Sequence, residues 1–192
     1  MTDITGGFEV TVHGTIEGAE CLEASMLYAR SVLVMGKDWG YAATASGERA
    51  DHSEVVTQMS ERLPGPQAKF SWNAPFAFAL KSSNLSGWPQ LAIAVSTLQR
   101  NGKDSPIGYA RCHVPFQRGR KTLDLPLMQP VHSTPQHSLH GSLTGSLPEL
   151  RDMTFLCSGE DRVVMSAKRL PGYVRVSFDV VITGLEEHGY SS

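Results

Sequence analysis

The chain is short of everything that a disulfide-stapled, membrane-spanning or strongly charged protein needs. Only three of its 192 residues are cysteine, and Cys21, Cys112 and Cys157 lie far apart with no Cys-x-x-Cys spacing. That odd, scattered set argues against a disulfide framework and a structural zinc site, and it points to a reducing compartment. Charge of one sign is equally scarce: 17 basic and 19 acidic residues leave a formal charge of -2. No global field then draws the chain onto nucleic acid or an anionic membrane, although a local basic patch stays open. No apolar run approaches the roughly 20 residues of a membrane-spanning helix. Met1-Thr2-Asp3-Ile4-Thr5-Gly6-Gly7 has neither a basic nor an apolar leader region, and Thr2 departs from the myristoylation pattern. A cytoplasmic location is the expectation. Asn84-Leu85-Ser86 therefore reads as a chance glycosylation sequon.

The motifs of catalysis are missing as well. Gly141-Ser142-Leu143-Thr144-Gly145 has its serine in the wrong place for a nucleophile elbow, and no Gly-Lys-Ser/Thr phosphate loop occurs. His132, His137 and His140 could be drawn as a metal cluster, but no acid or cysteine accompanies them, so they read as solvated filler. His113 is a lone histidine on a strand, and its neighbour Cys112 reads as a small core residue. Neither an enzyme nor a cofactor is expected.

What the sequence does contain is period-two hydrophobicity, the mark of strands with one face buried. Phe70–Leu127 is the central block, expected to form two apolar strands, a turn and two more strands. Trp72-Asn73-Ala74-Pro75 leads into Phe76, Phe78 and Leu80, and Trp88-Pro89 leads into Leu91, Ile93 and Val95. A loop tipped by Asn101-Gly102 then connects to Ile107-Gly108-Tyr109 and the run to Phe116, and Leu123, Leu125 and Leu127 alternate beyond it. Earlier, Phe8, Val10, Val12 and Ile16 mark a first strand with a bulge expected at Gly14. Leu27–Met35 makes a second strand, covered on both faces around Val32-Leu33-Val34.

The segment Tyr41–Gln67 reads as a surface excursion with one short helix near Ser53–Glu61. Val131–Leu147 lacks apolar period, so 131-148 is expected to be a long mobile loop, a flexible insert. Met153–Cys157 suggests a short strand, and Gly172–Ile182 alternates through Val174, Val176, Phe178 and Val180 before a polar tail over 184-192. The expected fold class is all-β: a single antiparallel β-sandwich of about eight strands, one domain over 1-192.

Several segments carry a family resemblance. They are Gly36-Lys37-Asp38-Trp39, Trp72-Asn73, Lys81-Ser82-Ser83-Asn84, Gly87-Trp88-Pro89-Gln90, Gly108-Tyr109-Ala110, His113-Val114-Pro115-Phe116 with Gly119-Arg120, and Gly189-Tyr190. In this order they resemble the B9 domain family, within the C2-like superfamily, across nearly the whole chain except Tyr41–Gln67 and Val131–Leu147. The resemblance implies a scaffold of the ciliary base, in the transition zone or basal body. Its implied partners are B9 paralogues and the membrane proteins of the Meckel syndrome and tectonic group, and its implied role is in the diffusion barrier there. With a formal charge of -2, no nucleic acid partner is expected.

Within that frame, calcium-binding C2 domains carry two aspartates after the Leu-x-Ile-x-Val strand, where this chain has Thr97 and Gln99. Asp104 remains, with Asp38 as a second acid from another loop. Two acids are too few for an ion that takes six to eight oxygen ligands. Arg118, Arg120 and Lys121 form the densest basic cluster, with Arg111, Lys81 and Lys103 expected nearby. They are the candidates for weak contact with anionic lipid or an acidic partner. A calcium-independent phospholipid-binding module acting alone is the alternative function. Trp72 and Trp88 read as core packing, and Trp39 either as an interface anchor or as the plug of one sandwich end.

Overall fold

A computed structural model describes residues 7–42, 53–99, 102–131, 148–158 and 166–186. Ten strands occur among them, all paired antiparallel in one curled sheet. In chain order they are β1 (Phe8–Cys21), β2 (Met26–Val34), β3 (Trp39–Tyr41), β4 (Glu54–Val56), β5 (Ser60–Glu61), β6 (Lys69–Ser82), β7 (Gln90–Leu98), β8 (Asp104–His113), β9 (Gly119–Pro130) and β10 (Ala167–Thr183). Spatially they run β3-β6-β1-β10-β9-β8-β7-β2-β4, with β5 on β2. The sheet folds over between β9 and β8, which share a single paired position, Tyr109 opposite Met128. One layer is then β3-β6-β1-β10-β9 and the other β8-β7-β2-β4, so the expected antiparallel sandwich is present with ten strands in place of about eight.

Alternation builds the core. Val10, Val12 and Ile16 of β1, Phe78 and Leu80 of β6, and Val176, Phe178 and Val180 of β10 point inward. They meet Ala29 and Leu33 of β2 and Leu91, Ile93 and Val95 of β7 in one buried cluster. Each large side chain fully removed from water there stabilises the fold by about 2 kcal/mol before entropy is counted. The Trp72 indole spans the layers and donates to the Leu27 carbonyl oxygen at 3.1 Å.

Several local expectations are corrected. The bulge lies at Glu17, not Gly14: pairing jumps from Ile16–Ala74 to Gly18–Ser71, so Trp72 and Asn73 together oppose Glu17. Asn73 takes a positive φ of 49° there, and β6 runs through the bulge instead of starting after it. Gly14 has another task, because a Cβ on it would stand 2.1 Å from Cζ of Phe76. The aromatic ring fills the place of the missing side chain.

The helix expected near Ser53–Glu61 is replaced by β4 and β5, which pair with β2. An open sheet edge supplies hydrogen-bond partners that local propensity cannot foresee. Thr57 secures this pairing: its N–H donates to the Ala29 carbonyl at 2.8 Å, and its Oγ1 accepts from the Ala29 N–H at 2.9 Å. Met153–Cys157 is a short 310 helix, not a strand, because Asp152 Oδ1 accepts from the Thr154 N–H at 2.8 Å and caps it. This segment lies on the outer face of the β2-β7-β8 layer, where Tyr109 Oη accepts from the Leu150 N–H at 3.0 Å. Ala92 and Ala94 are buried on that face, and Val32 and Val34 are half-buried, so cover on the second face of β2 is partial. The polar tail begins inside the core, since Leu185 is fully buried. Most of the 131-148 insert, including His132, His137 and His140, lies outside the described residues, as do Asn101 and Gly189-Tyr190.

Candidate functional site

Thr97 and Gln99 stand at the end of β7 beside Met26. The Thr97 hydroxyl donates to the Met26 carbonyl at 2.8 Å. The Gln99 backbone closes the following turn, donating to Lys103 O and accepting from Gly102 N–H, each at 2.9 Å. Asp104 opposes Leu98 at this end. Asp38 is at the other: its carbonyl accepts from Ser82 Oγ at 2.9 Å, and it lines a cleft with Gln90 and His113. The nine residues of β7 separate the two acids by roughly 25 Å at about 3.3 Å per residue. They cannot converge on one ion, and Asp38 is withdrawn as a second carboxylate for the Asp104 loop.

The basic candidates do not form one patch. Arg118, Arg120 and Lys121 are all exposed, but Arg120 pairs with Asp179 while Lys121 pairs with Phe178, so alternation sends their side chains to opposite faces. Arg111 belongs to the other layer, opposite Ala92. Lys81 pairs with Glu9 and Gly40 toward the far side of the first layer, and Lys103 sits at the Thr97 end. The gathering of Arg111, Lys81 and Lys103 beside the Arg118–Lys121 run is therefore not realised.

Trp39 is the plug. Its side chain is 6% exposed, and its Nε1–H donates to the Ser86 carbonyl at 2.9 Å. It meets Phe8 edge-on at 5.5 Å and Trp88 at 5.1 Å between ring centroids, and Trp88 continues to Phe116 at 5.0 Å. Trp88 Nε1–H donates to the Val114 carbonyl at 2.7 Å. Buried this deeply, Trp39 cannot anchor a partner, and its exposed-turn reading is corrected. Phe116 is the ring of this aromatic group that reaches furthest into solvent, at 37% exposed. Trp72, 3% exposed, does pack in the core as expected.

Beside this plug three of the resemblance-bearing segments converge. Gly36-Lys37-Asp38-Trp39, Gly87-Trp88-Pro89-Gln90 and the start of His113-Val114-Pro115-Phe116 border a cleft of about 690 Å³. Lys37, Asp38, Trp88, Gln90, Arg111 and His113 line it, and Cys157-Ser158, at the end of the 310 helix, forms the remaining wall. Gln90 ties that wall down, donating from Nε2 to the Cys157 carbonyl at 3.3 Å. Burial raises the Cys157 thiol, which nearby Arg111 partly offsets. Burial also pushes the Cys112 thiol up to about 12, assisted by Cys157. These thiols stay protonated and are poor nucleophiles. Sequence reasoning missed this cleft. Its signal was the clustering of three family-like motifs, whose meeting in space no single motif discloses.

The family described as "Ciliary basal body-associated, B9 protein" matches residues 10–181. Among individual relatives, B9 domain-containing protein 1 of Xenopus laevis is 35% identical over 185 residues, covering 96% of this chain and 89% of the relative. The Homo sapiens protein of the same name is 31% identical, at 96% and 87% coverage. B9 domain-containing protein 2 of Mus musculus is 30% identical over 154 residues, at 80% and 82% coverage. A solved C2 domain of plant extended synaptotagmin 1 aligns over 88% of this chain and 92% of its own, with a TM-score of 0.42 and 12% identity. At that distance the last likeness carries no weight for function.

Proposed function

This chain belongs to the family of ciliary basal body-associated B9 proteins, and from that premise we propose that it is a non-enzymatic structural subunit of a complex at the ciliary base. In this reading it works in the transition zone, binds B9 paralogues, associates with membrane proteins of the Meckel syndrome and tectonic type, and supports cilium assembly and the diffusion barrier. No metal or nucleotide takes part. The observation carrying it is the outer face of β6-β1-β10. Thr11 and Thr15 of β1, Ala77 and Ala79 of β6, and Val181 of β10 put short side chains on a pleated surface that also carries His13 opposite Asp179 and is bordered by the Glu9–Lys81 position. Val181 is 51% exposed. Short side chains let a second sheet approach closely, as sheet-on-sheet packing at about 10 Å requires. Among the described residues no helix is long and apolar enough to cross a membrane.

The test is co-expression with the two B9 paralogues. Co-purification is expected, and Thr11→Lys and Val181→Lys should abolish it while the variants still melt cooperatively. Retained binding in both would discard this face, and failure of the wild type to co-purify would discard the scaffold reading. Liposome flotation of the lone protein, lost on neutralising Arg118, Arg120 and Lys121, would favour the solitary phospholipid-binding module.

A further inference from the structure

We infer that the cleft between the Lys37 loop and the end of the 310 helix is an anion site for a phosphate monoester, supplied by Lys37, Arg111 and His113. Strand geometry makes the first half of the case. Arg111 and His113 are two apart on β8, so both project from the outer face, and His113 is paired with Gln90 across the β7–β8 ladder. Lys37 arrives from the opposite wall. Its loop is pressed against the Ser86-Gly87 loop because Gly36 and Gly87 leave no side chain between the two backbones. Two cations and an imidazole from two separate elements thus border one concavity whose volume, about 690 Å³, lies in the range of ligand sites.

Charge accounting makes the second half. The Arg30–Glu54 and Arg175–Asp124 ion pairs are both on other surfaces. Lys37, Arg111 and His113 are in neither, and all three are exposed. Among the described residues that line the cleft, Asp38 is the one carboxylate. The polar contact of Arg111 is Nη1 to Gln90 Oε1 at 3.5 Å, a distance at which a hydrogen bond is weak. The guanidinium therefore keeps a free fork of donors toward the cleft, the geometry that takes two phosphate oxygens at once. Lys37 and His113 would supply single donors from either side. The Trp88 ring, half-buried beneath them, limits water on one flank. A free sugar phosphate and the headgroup of a phosphorylated lipid present the same chemistry to these residues.

The experiment is calorimetric titration of the full chain with inositol trisphosphate, paired with flotation on phosphatidylcholine vesicles with and without phosphatidylinositol phosphate. Saturable binding of the soluble compound is expected, falling about tenfold in Arg111→Gln and again in Lys37→Gln. Arg120→Gln should stay within about twofold of wild type, since its position is on the other layer. Flotation that follows the same variants assigns a lipid source, and its absence with intact soluble binding assigns a free one. Three results would overturn the inference: no binding of the soluble compound, binding unchanged in both Arg111→Gln and Lys37→Gln, or equal loss in Arg120→Gln. Preference for a glutamate-rich peptide over inositol trisphosphate would also overturn it, reassigning the cations to an acidic partner chain. Failure of paralogue co-purification leaves these outcomes untouched, so the two readings fail separately.

Discussion

Gly36 and Gly87 meet backbone to backbone: the Gly36 N–H donates to the Gly87 carbonyl at 2.9 Å, and a Cβ on Gly87 would lie 2.5 Å from the Gly36 Cα. Two loops far apart in the chain are thereby closed over the Trp39–Trp88 pair, and one wall of the cleft takes its shape from that contact.

Gly87→Ala should destabilise the protein by about 3 kcal/mol, combining a positive φ of 69° with a clash against backbone that cannot yield. Gly102 is the control. Its φ of 78° is similar, but nothing lies within 4 Å of an added Cβ, so Gly102→Ala should cost about 1 kcal/mol. Urea midpoints at constant m-value measure both. Equal losses would show that conformation, not the contact, governs this site.

Calcium should leave the melting temperature unchanged, because Asp38 and Asp104 stand at opposite ends of β7 and Thr97 and Gln99 offer no carboxylate. A ligand bound by the native state alone must raise stability in proportion to its occupancy. A melting temperature that climbs with millimolar calcium and returns on chelation refutes the assignment.

Asp124 and Arg175 form a two-pronged pair at 2.7 and 2.8 Å across β9 and β10. The hydrogen bond from Arg175, helped by its charge, holds the Asp124 carboxyl below its ordinary value. With the folded value lower than the unfolded one, the carboxylate stabilises the fold above the unfolded value, and that contribution is lost as pH falls through the folded one. Both side chains are largely in water, so Asp124→Asn should cost under about 1 kcal/mol at neutral pH. The difference from wild type should hold down to about pH 5 and shrink below the ordinary aspartate value of about 3.9. Denaturation curves across that range check it, and a difference that widens toward acid contradicts the pairing.

Burial raises the thiols of Cys21, Cys112 and Cys157, so thiolate is scarce at mildly alkaline pH. Iodoacetamide at pH about 8 should label the native chain slowly at all three positions and the urea-unfolded chain quickly. Mass spectrometry of timed samples gives the rates. Fast native labelling of Cys112 would mean that its strand opens or that its surroundings are wetter than described.

Alternation alone disclosed much of this molecule. Val10, Val12 and Ile16, then Phe76, Phe78 and Leu80, then Leu91, Ile93 and Val95 each state a strand and its buried face, because side chains of an extended chain turn over every residue whatever they pack against. The B9-like segments were equally legible, as order and spacing are properties of the chain. Tertiary structure decided whatever depends on two distant segments meeting. Ser53–Glu61 became strands because β2 offered an open edge, and Thr57 could exchange hydrogen bonds with Ala29. Trp39, readable from sequence as anchor or plug, is the plug because Phe8 and Trp88 came to lie against it. Arg120 and Lys121 parted, while Arg111, His113 and Lys37 came together. Hydrophobic period records which face a residue takes, but not which loop will stand opposite it, and the cleft is made of loops brought into opposition.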